Sequence, residues 1–136
     1  MCLALYAEDP GTVPIDRARI ERTLHALRAE PSRGRAVVLD LGDGPPGGYA
    51  LLVPFWSNEL GGEVCEVDEL FVRPDLRSRG HGSALFDAID RALVWPARPV
   101  AIALGVTPGN ARARRLYERL GFPPALTMLI RETPPG

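Results

Sequence analysis

The order of hydrophobic and polar positions predicts the first elements of the chain. Residues 1–8 fit two patterns, a short helix through Leu3 and Tyr6 or a strand, and the sequence leaves both open. Apolar residues at helical spacing predict a helix over residues 16–29, for which Asp16 is a candidate N-cap. Its buried side is expected to consist of Ile20, Leu24 and Leu27.

Three strands are predicted in the middle of the chain. Residues 35–41 and 47–56 have apolar, strand-like patterns, and the Gly- and Pro-rich segment 42–48 between them is typical of a hairpin connection. The third strand covers residues 63–73 and ends before Pro74, which lacks the N–H group that a strand interior needs.

The second half of the chain alternates helices and strands. Apolar residues predict a helix over residues 80–94 and another over 110–120, which Gly121 caps. Residues 99–106 form a short continuous apolar run, typical of a buried parallel strand, and a last strand is expected over 125–131. Two antiparallel strands followed by strand–helix–strand–helix–strand predict an α/β (α+β) fold in which helices pack on a mixed sheet.

Length, charge and composition limit the classes of function. The 136 residues suit a single domain over residues 1–136. The net charge of -1 argues against nucleic-acid and membrane partners, because no basic field draws the chain to either. All sixteen basic residues are arginine, so chemistry that needs a Schiff-base lysine or a P-loop lysine is excluded.

The cysteines and histidines favour a reduced setting and give no sign of a metal site. Cys2 and Cys65 are the only cysteines, one at the terminus and one in a predicted strand, which favours free thiols and a cytoplasmic protein. His25 and His81 are the only histidines, so no zinc site is expected. No apolar run approaches the roughly 20 residues that span a bilayer, and the N-terminus lacks the pattern of a signal peptide.

The stretch from Val64 to Ser83 carries the most chemical information. A strand with carboxylates runs into an arginine-rich loop, which ends in Gly80-His81-Gly82 just before a helix. Backbone N–H groups of such a loop and of the helix N-terminus point towards one spot and suit a phosphate. Gly-x-Gly alone is weak evidence, because an ordinary turn also uses glycine. The dinucleotide-binding fingerprint is incomplete, and the P-loop pattern is absent.

Two motifs taken together resemble one family. Residues 77–82, Arg-Ser-Arg-Gly-His-Gly, resemble the acetyl-CoA signature Arg/Gln-x-x-Gly-x-Gly/Ala of the GNAT family of N-acetyltransferases. Residues 110–122 are similar to that family's helix with Asn at its start, Tyr seven residues later and Gly-Phe at its end, through Asn110 and Tyr117. One predicted helix and one predicted strand separate the two motifs, as the family requires. The pair is therefore more specific than either motif alone.

The resemblance covers about residues 35–131 and implies both a fold and an activity. Residues 48–53 and 68–74 look most like the small-amine and diamine acetyltransferase branch. The family fold is a mixed, mostly antiparallel sheet with helices on both faces, in which a central pair of parallel strands splays apart for acetyl-CoA. The implied activity is direct transfer of an acetyl group from acetyl-CoA to the primary amine of a small molecule, without a metal. The family's first strand has no counterpart here, because either the start is truncated or the sheet has lost an edge strand, and an exposed sheet edge would favour a homodimer.

The resemblance also assigns the residues that bind the cofactor. It implies that the end of the third strand pairs with the pantetheine arm, that the loop amides hold the diphosphate, and that Asn110 caps its helix and contacts the arm. The loop arginines rank behind the amides, and His81 is expected to offer only its backbone N–H. The full set is Leu70, Phe71, Val72, Arg77, Ser78, Arg79, Gly80, His81, Gly82, Ser83, Asn110, Ala113 and Tyr117.

Transfer to an amine needs a base for the amine and an acid for the leaving thiolate. Strand alternation predicts two faces of the third strand, one with Glu66, Asp68, Leu70 and Val72 and the other with Cys65, Val67, Glu69 and Phe71. Asp68 matches the acidic position of diamine acetyltransferases and is the first choice of base, Glu66 is the second, and Glu69 is the third. By the same resemblance, Tyr117 protonates the sulfur.

The acceptor side is less defined by the sequence. Trp56 either shapes an amine pocket or only packs, and Glu69 is a candidate for binding the amine. The acids of the third strand favour a cationic acceptor. A rival interpretation is a non-catalytic acyl-CoA-binding sensor or interaction module, in which the glycine loop is kept while the acids and Tyr117 have structural roles.

Overall fold

The computed structural model describes residues 1–125 and 129–133, in which four strands and four α-helices form. Short 3-10 turns at Pro31–Arg33 and Pro74–Leu76 connect some of them. In chain order the elements are α1 (Cys2–Glu8), α2 (Arg17–Ala29), β1 (Arg35–Leu39), β2 (Gly48–Ser57), β3 (Gly62–Val72), α3 (His81–Asp90), β4 (Ala101–Leu104) and α4 (Ala111–Arg119). No helix in this part of the chain is long and apolar enough to cross a bilayer.

The sheet is mixed, which confirms the predicted fold class. Its strand order is β1-β2-β3-β4, with antiparallel pairing along β1-β2-β3 and parallel pairing between β3 and β4. The parallel pair is short, because it runs only from Val64 opposite Ala101 to Val67 opposite Leu104. Beyond Val67, β3 continues to Val72 while β4 has ended. The two strands therefore part at this point and leave a groove between them.

A β-bulge at Asp68 lies where the two strands part. Leu52 of β2 pairs with Val67, but the preceding Leu51 pairs with Glu69, so Asp68 is an extra residue of β3. The extra residue shifts the alternation of side chains by one position. Leu70 consequently packs against the core that contains Val67, although simple alternation had predicted the opposite face for it. That prediction was wrong at Leu70 for this reason.

The hydrophobic core lies between the sheet and α3. Its buried members come from β2, β3, α3 and the turn after α3, and they are Ala50, Leu52, Cys65, Val67, Phe86, Ile89 and Trp95. Tyr117 of α4 and Phe122 pack edge-on against the Phe86 ring, with centroid distances of 6.0 Å and 5.3 Å. The core thus fixes α4 beside the parallel strands and presents Tyr117 at the groove.

Helix α2 begins as predicted but is less buried than predicted. Asp16 is its N-cap and accepts a hydrogen bond from the backbone N–H of Arg19 at 2.7 Å. The helix meets the sheet at its C-terminal end, where Leu27 lies close to Gly34. Leu24 remains 40% exposed, so the predicted buried stripe is wrong at that residue. Helical spacing reveals an apolar face, but it does not reveal whether another element covers that face.

Helix α3 ends four residues earlier than predicted, at Asp90. Ala92 adopts a left-handed conformation with φ 54°, and the N–H of Leu93 closes the end on the carbonyl of Ala88 at 2.8 Å. This reversal sends Trp95 back into the core, where its indole N–H donates to Glu63 at 2.9 Å.

The remaining boundaries differ from prediction in smaller ways. Residues 1–8, which fitted either a helix or a strand, form helix α1. Strand β4 has four residues where eight had been predicted over 99–106. Of the strand expected over 125–131, residues 125 and 129–131 are not in a strand, and residues 126–128 lie outside the described residues.

Gly48 gives a direct test of the β2–β3 pairing. A Cβ atom at this position would lie 2.3 Å from the carbonyl oxygen of Phe71, and the backbone of β3 cannot move aside without breaking the strand pair. We expect Gly48→Ala to lower the free energy of unfolding by about 2 kcal/mol in urea denaturation. Gly109→Ala is the control, since a Cβ there meets nothing within 4 Å. Equal stability of the two variants would contradict the pairing at Gly48.

Candidate active site

The groove between the parting strands has a volume of about 1100 Å³. One wall is β3 from Val67 to Val72, followed by the loop that leads into α3. The other wall is the segment after β4 and the inner side of α4, and the end of α1 lies across the opening. Elements from both ends of the chain therefore form the site.

The loop before α3, residues 77–80, has the geometry of an anion site, and we call it the anion loop. Ser78 and Gly80 have positive φ values of 62° and 84°, and Gly80 occupies the N-cap position without a side chain to cap the helix. The first intrahelical bond runs from Ala84 to the carbonyl of Gly80 at 2.9 Å, so the N–H groups of His81 and the next two residues precede the helical ladder. Such N–H groups and the helix dipole favour a phosphate.

Glycine at position 82 allows the two helices to approach closely. A Cβ atom there would lie 3.0 Å from a methyl group of Leu116 on α4. The first turn of α3 is thus held directly against α4, which keeps the anion site and Tyr117 in one groove.

Arg77 is fixed at the start of this loop by contacts on three sides. Its Nε donates to the carbonyl of Val72 at 2.7 Å, and its guanidinium lies 5.5 Å from the centre of the Phe71 ring. Its Nη2 reaches both carboxylate oxygens of Glu8 at 2.8 Å and 3.1 Å. Arg79, the other loop arginine, is not among the residues that line the groove.

Glu69 is held by three donors. The hydroxyl of Tyr6 donates to one carboxylate oxygen and that of Tyr49 to the other, both at 2.7 Å, and the thiol of Cys2 lies 3.7 Å from the second oxygen. Burial and then hydrogen bonding raise the pKa of Tyr6, and burial is also the main cause of the raised pKa of Tyr49. Both phenols therefore stay protonated, and both oxygens of Glu69 are occupied.

Asp68 lines the groove at the bulge and remains open to solvent. Desolvation by the surrounding protein raises the pKa of its carboxyl group, and the charges of Glu69 and Glu66 raise it further. A carboxylate with a raised pKa is a better proton acceptor than an ordinary one. Glu66, opposite Val53 on β2, does not line the groove.

Tyr117 lines the groove from α4. Burial raises the pKa of its phenol, the charge of Asp9 adds to the effect, and the charge of Arg112 acts in the opposite direction. The phenol therefore keeps its proton well into the alkaline range and is able to donate it.

Asp9 connects α1 to the far wall of the groove. Its carboxylate accepts hydrogen bonds from the Thr107 hydroxyl at 2.5 Å and from the Asn110 side-chain amide at 2.7 Å. Asn110 in turn caps α4 by accepting from the N–H of Ala113 at 3.0 Å. The predicted N-cap is confirmed, and the side-chain amide of Asn110 also donates a hydrogen bond to Asp9 at the end of α1.

The structure brings most of the predicted site residues into one groove. These are Asp68, Glu69, Leu70, Phe71, Val72, Arg77, Ser78, Gly80, His81, Gly82, Ser83, Asn110, Ala113 and Tyr117. It places Trp56 elsewhere, on β2 opposite Glu63 near the β2–β3 hairpin, with 72% of its surface exposed. Together with Glu66 and Arg79, Trp56 lies outside the residues that line the groove.

Sequence reasoning missed the contribution of α1 and of Arg112. Tyr6, Glu8 and Asp9 line the groove from one side and Arg112 from the other. The available signal was weak, since two adjacent acids before a proline also fit an ordinary helix end. Arg112 lies within the helix motif, but the motif does not state where its side chain points.

Comparison with known proteins points to one family. The model of the acetyltransferase (GNAT) family matches residues 3–122. A curated relative, an uncharacterized N-acetyltransferase of Methanocaldococcus jannaschii, is 42% identical over 82 residues, which are 59% of this chain and 35% of the relative. The chain thus spans about a third of the length of that relative.

Solved structures share the fold over nearly the whole chain. An integron cassette protein from the mobile metagenome of Cole Harbour Salt Marsh has a TM-score of 0.71 and 27% identity, covering 97% of this chain and 80% of its own. An aminoglycoside N-acetyltransferase in complex with CoA has a TM-score of 0.66 and 20% identity, covering 87% of each chain. At that identity the second comparison shows the fold alone.

Proposed function

The chain belongs to the acetyltransferase (GNAT) family, and on this premise we propose that it is an N-acetyltransferase that uses acetyl-CoA to acetylate the primary amine of a small molecule by direct transfer. The observation that carries the proposal is the groove where β3 and β4 part. It contains an uncapped helix N-terminus for an anion, a carboxylate with a raised pKa, and a protonated phenol. Asp68 lies four residues before the end of β3, roughly 13 Å along the strand.

The groove residues suit coenzyme A. The amides of residues 80–83 and the guanidinium of Arg77 would hold the diphosphate, since both are directed donors for an anion. The edge of β3 beyond Val67 has lost its β4 partner, so the backbone of Leu70 to Val72 would pair with the amides of the pantetheine arm as a strand would. When bound, acetyl-CoA supplies the activated acetyl group.

Asp68 is our choice of base among the three strand acids. It lines the groove, whereas Glu66 does not, and both oxygens of Glu69 already accept hydrogen bonds from phenols. Asp68 would take a proton from the attacking amine, directly or through water. The bulge makes Asp68 an extra residue in the ladder with β2, and its N–H group would be the donor to the oxyanion.

Tyr117 is our choice of acid. Its phenol is kept protonated by burial and by the nearby charge of Asp9, and it lines the same groove as Asp68. It would donate its proton to the sulfur as the carbon–sulfur bond breaks, so the thiol leaves uncharged. The side chain is held for this by the edge-on packing of its ring against Phe86 and Phe122.

Further features of the protein extend the proposal to the acceptor, the domain, the cellular setting and the oligomeric state. A small, cationic amine, as in the diamine branch, fits the negative charges of Asp68 and Glu69 at the groove. Since α1 and α4 both line the groove, we take residues 1–136 as one catalytic domain. The free thiols of Cys2 and Cys65 fit a reduced, cytoplasmic setting. Because β1 is an edge strand, a homodimer would form most simply through it.

A screen of primary amines with acetyl-CoA, in which the released thiol is measured, tests the proposal. We expect at least one small amine to release thiol at a rate that depends on both substrates. Coenzyme A binding without turnover on any amine would contradict the proposed activity and favour an acyl-CoA-binding module instead.

A further inference from the structure

Arg77 is held at the groove by contacts within the protein that do not use the Nη2 edge of its guanidinium. The carbonyl of Val72 fixes its Nε at 2.7 Å, and the Phe71 ring lies against the guanidinium at 5.5 Å. Both contacts come from the end of β3, immediately before the loop. The Nη2 edge of the guanidinium is therefore held towards the groove, ready for an acceptor.

Glu8 of α1 occupies that edge. Nη2 of Arg77 lies 2.8 Å and 3.1 Å from its two oxygens. A second arginine, Arg112, lines the same groove as Glu8 and Arg77. Burial and then the charge of Arg77 lower the pKa of Arg112, while the charge of Glu8 acts in the opposite direction. One carboxylate thus sits near two guanidinium groups beside the anion loop, where a phosphate would also be attracted.

We propose that Glu8 is an internal competitor for the anion site of Arg77 and Arg112, and that the diphosphate of coenzyme A must displace it. This inference rests on the proposed function and deepens it, since it names a residue that sets the affinity for the donor. A diphosphate has more charge and more acceptor oxygens than one carboxylate and replaces it in the same directed hydrogen bonds. The Glu8–Arg77 pair is partly exposed, with side-chain exposures of 41% and 20%, so it is weak enough to be displaced.

The side chain of Glu8 can move away from Arg77 while α1 stays in place. Tyr6, two residues earlier, is bonded to Glu69 on β3, and Asp9, one residue later, is bonded to Thr107 and Asn110. These contacts hold the helix on both sides of Glu8. Displacement therefore needs only a change of the Glu8 side-chain rotamer, and the ordered end of α1 remains over the groove.

The test is calorimetric titration of the full chain with coenzyme A, which needs no acceptor amine. We expect Glu8→Gln to lower the Kd for coenzyme A about two- to fivefold, because the amide neither pairs with Arg77 as a charge nor repels the diphosphate. Glu21→Gln is the matched control, since it removes the same charge from a carboxylate paired with Arg17 on exposed α2. Its Kd is expected to equal that of the unchanged protein.

Pantetheine, which lacks the diphosphate, is the matched ligand. Its binding, followed by NMR chemical shifts, is expected to be the same in Glu8→Gln and in the unchanged protein. Glu8→Ala serves as a second variant with the same readout, and thermal melting shows whether each variant is folded.

The outcomes separate this inference from the proposed function. If the unchanged protein binds no coenzyme A, the proposed function fails, and this inference fails with it. If it binds coenzyme A but Glu8→Gln binds it equally or more weakly, Glu8 supports Arg77 and the inference alone is overturned. An equal gain in Glu21→Gln, or a gain that pantetheine shares, would also overturn it, because the effect would then not be local to the diphosphate.

Discussion

Replacing Asp68 by asparagine is expected to lower kcat/KM for the amine about 100-fold, because the amide has the same shape but cannot accept the proton. The unchanged enzyme should lose activity as the pH falls through the pKa of Asp68. Desolvation and the charges of Glu69 and Glu66 raise that pKa. The acid limb of the pH–rate profile should therefore lie above the value of about 4 that is usual for an aspartate. Asp68→Asn should lack this limb in a pH–rate profile.

Glu66→Gln is the matched control, since it removes a carboxylate from the same strand but outside the groove lining. It should keep most of the rate. Its one expected effect is a small shift of the acid limb to lower pH, because one of the charges that raises the pKa of Asp68 is gone. If Glu66→Gln abolishes the limb and Asp68→Asn preserves it, the base has been assigned to the wrong residue.

Replacing Tyr117 by phenylalanine is expected to lower kcat about tenfold or more while the Kd for coenzyme A changes little. Phenylalanine keeps the ring that packs on Phe86 and Phe122 but has no proton to give. Because the pKa of Tyr117 is raised, the phenol of the unchanged enzyme should remain protonated, and active, up to a pH above the usual tyrosine value of about 10. Steady-state kinetics and calorimetry measure the two effects separately.

Tyr49→Phe provides the comparison for Tyr117→Phe. Tyr49 is a second half-buried tyrosine, but it donates to Glu69 and is not among the residues that line the groove. Its loss should cost about 2 kcal/mol of stability through the missing hydrogen bond to a carboxylate and leave kcat nearly unchanged. An unchanged kcat in Tyr117→Phe would exclude the phenol as the acid, whatever the result for Tyr49.

Much of the fold could be predicted from the sequence because its signals are local. Asp16 and Asn110 precede helices and cap them as predicted, since a cap bonds to N–H groups only a few residues away. The glycines of the loop before α3 indicate a turn of the backbone, and Gly80 indeed has a positive φ. Strand order along β1-β2-β3 followed from short connections.

The candidate site was predictable only where a local motif reaches it. The anion loop and the positions of Asn110 and Tyr117 were found in this way. Trp56 was assigned to the acceptor side, but the structure leaves it exposed near the β2–β3 hairpin. Glu8 and Asp9 received no role, because their partners Arg77 and Asn110 are far from them in the sequence. No periodicity records a contact between such distant residues.

The sequence by itself determined the order of helices and strands, the helix caps and the turn before α3, because each depends on interactions within a few residues. Only the tertiary structure decided which side chains share the groove. The bulge at Asp68 reverses the faces of β3, the early end of β4 opens the groove, and the packing of α1 across it occupies Glu69, Arg77 and Asn110. These depend on one extra residue in a ladder and on contacts between remote segments, which a regular pattern of hydrophobic positions cannot encode.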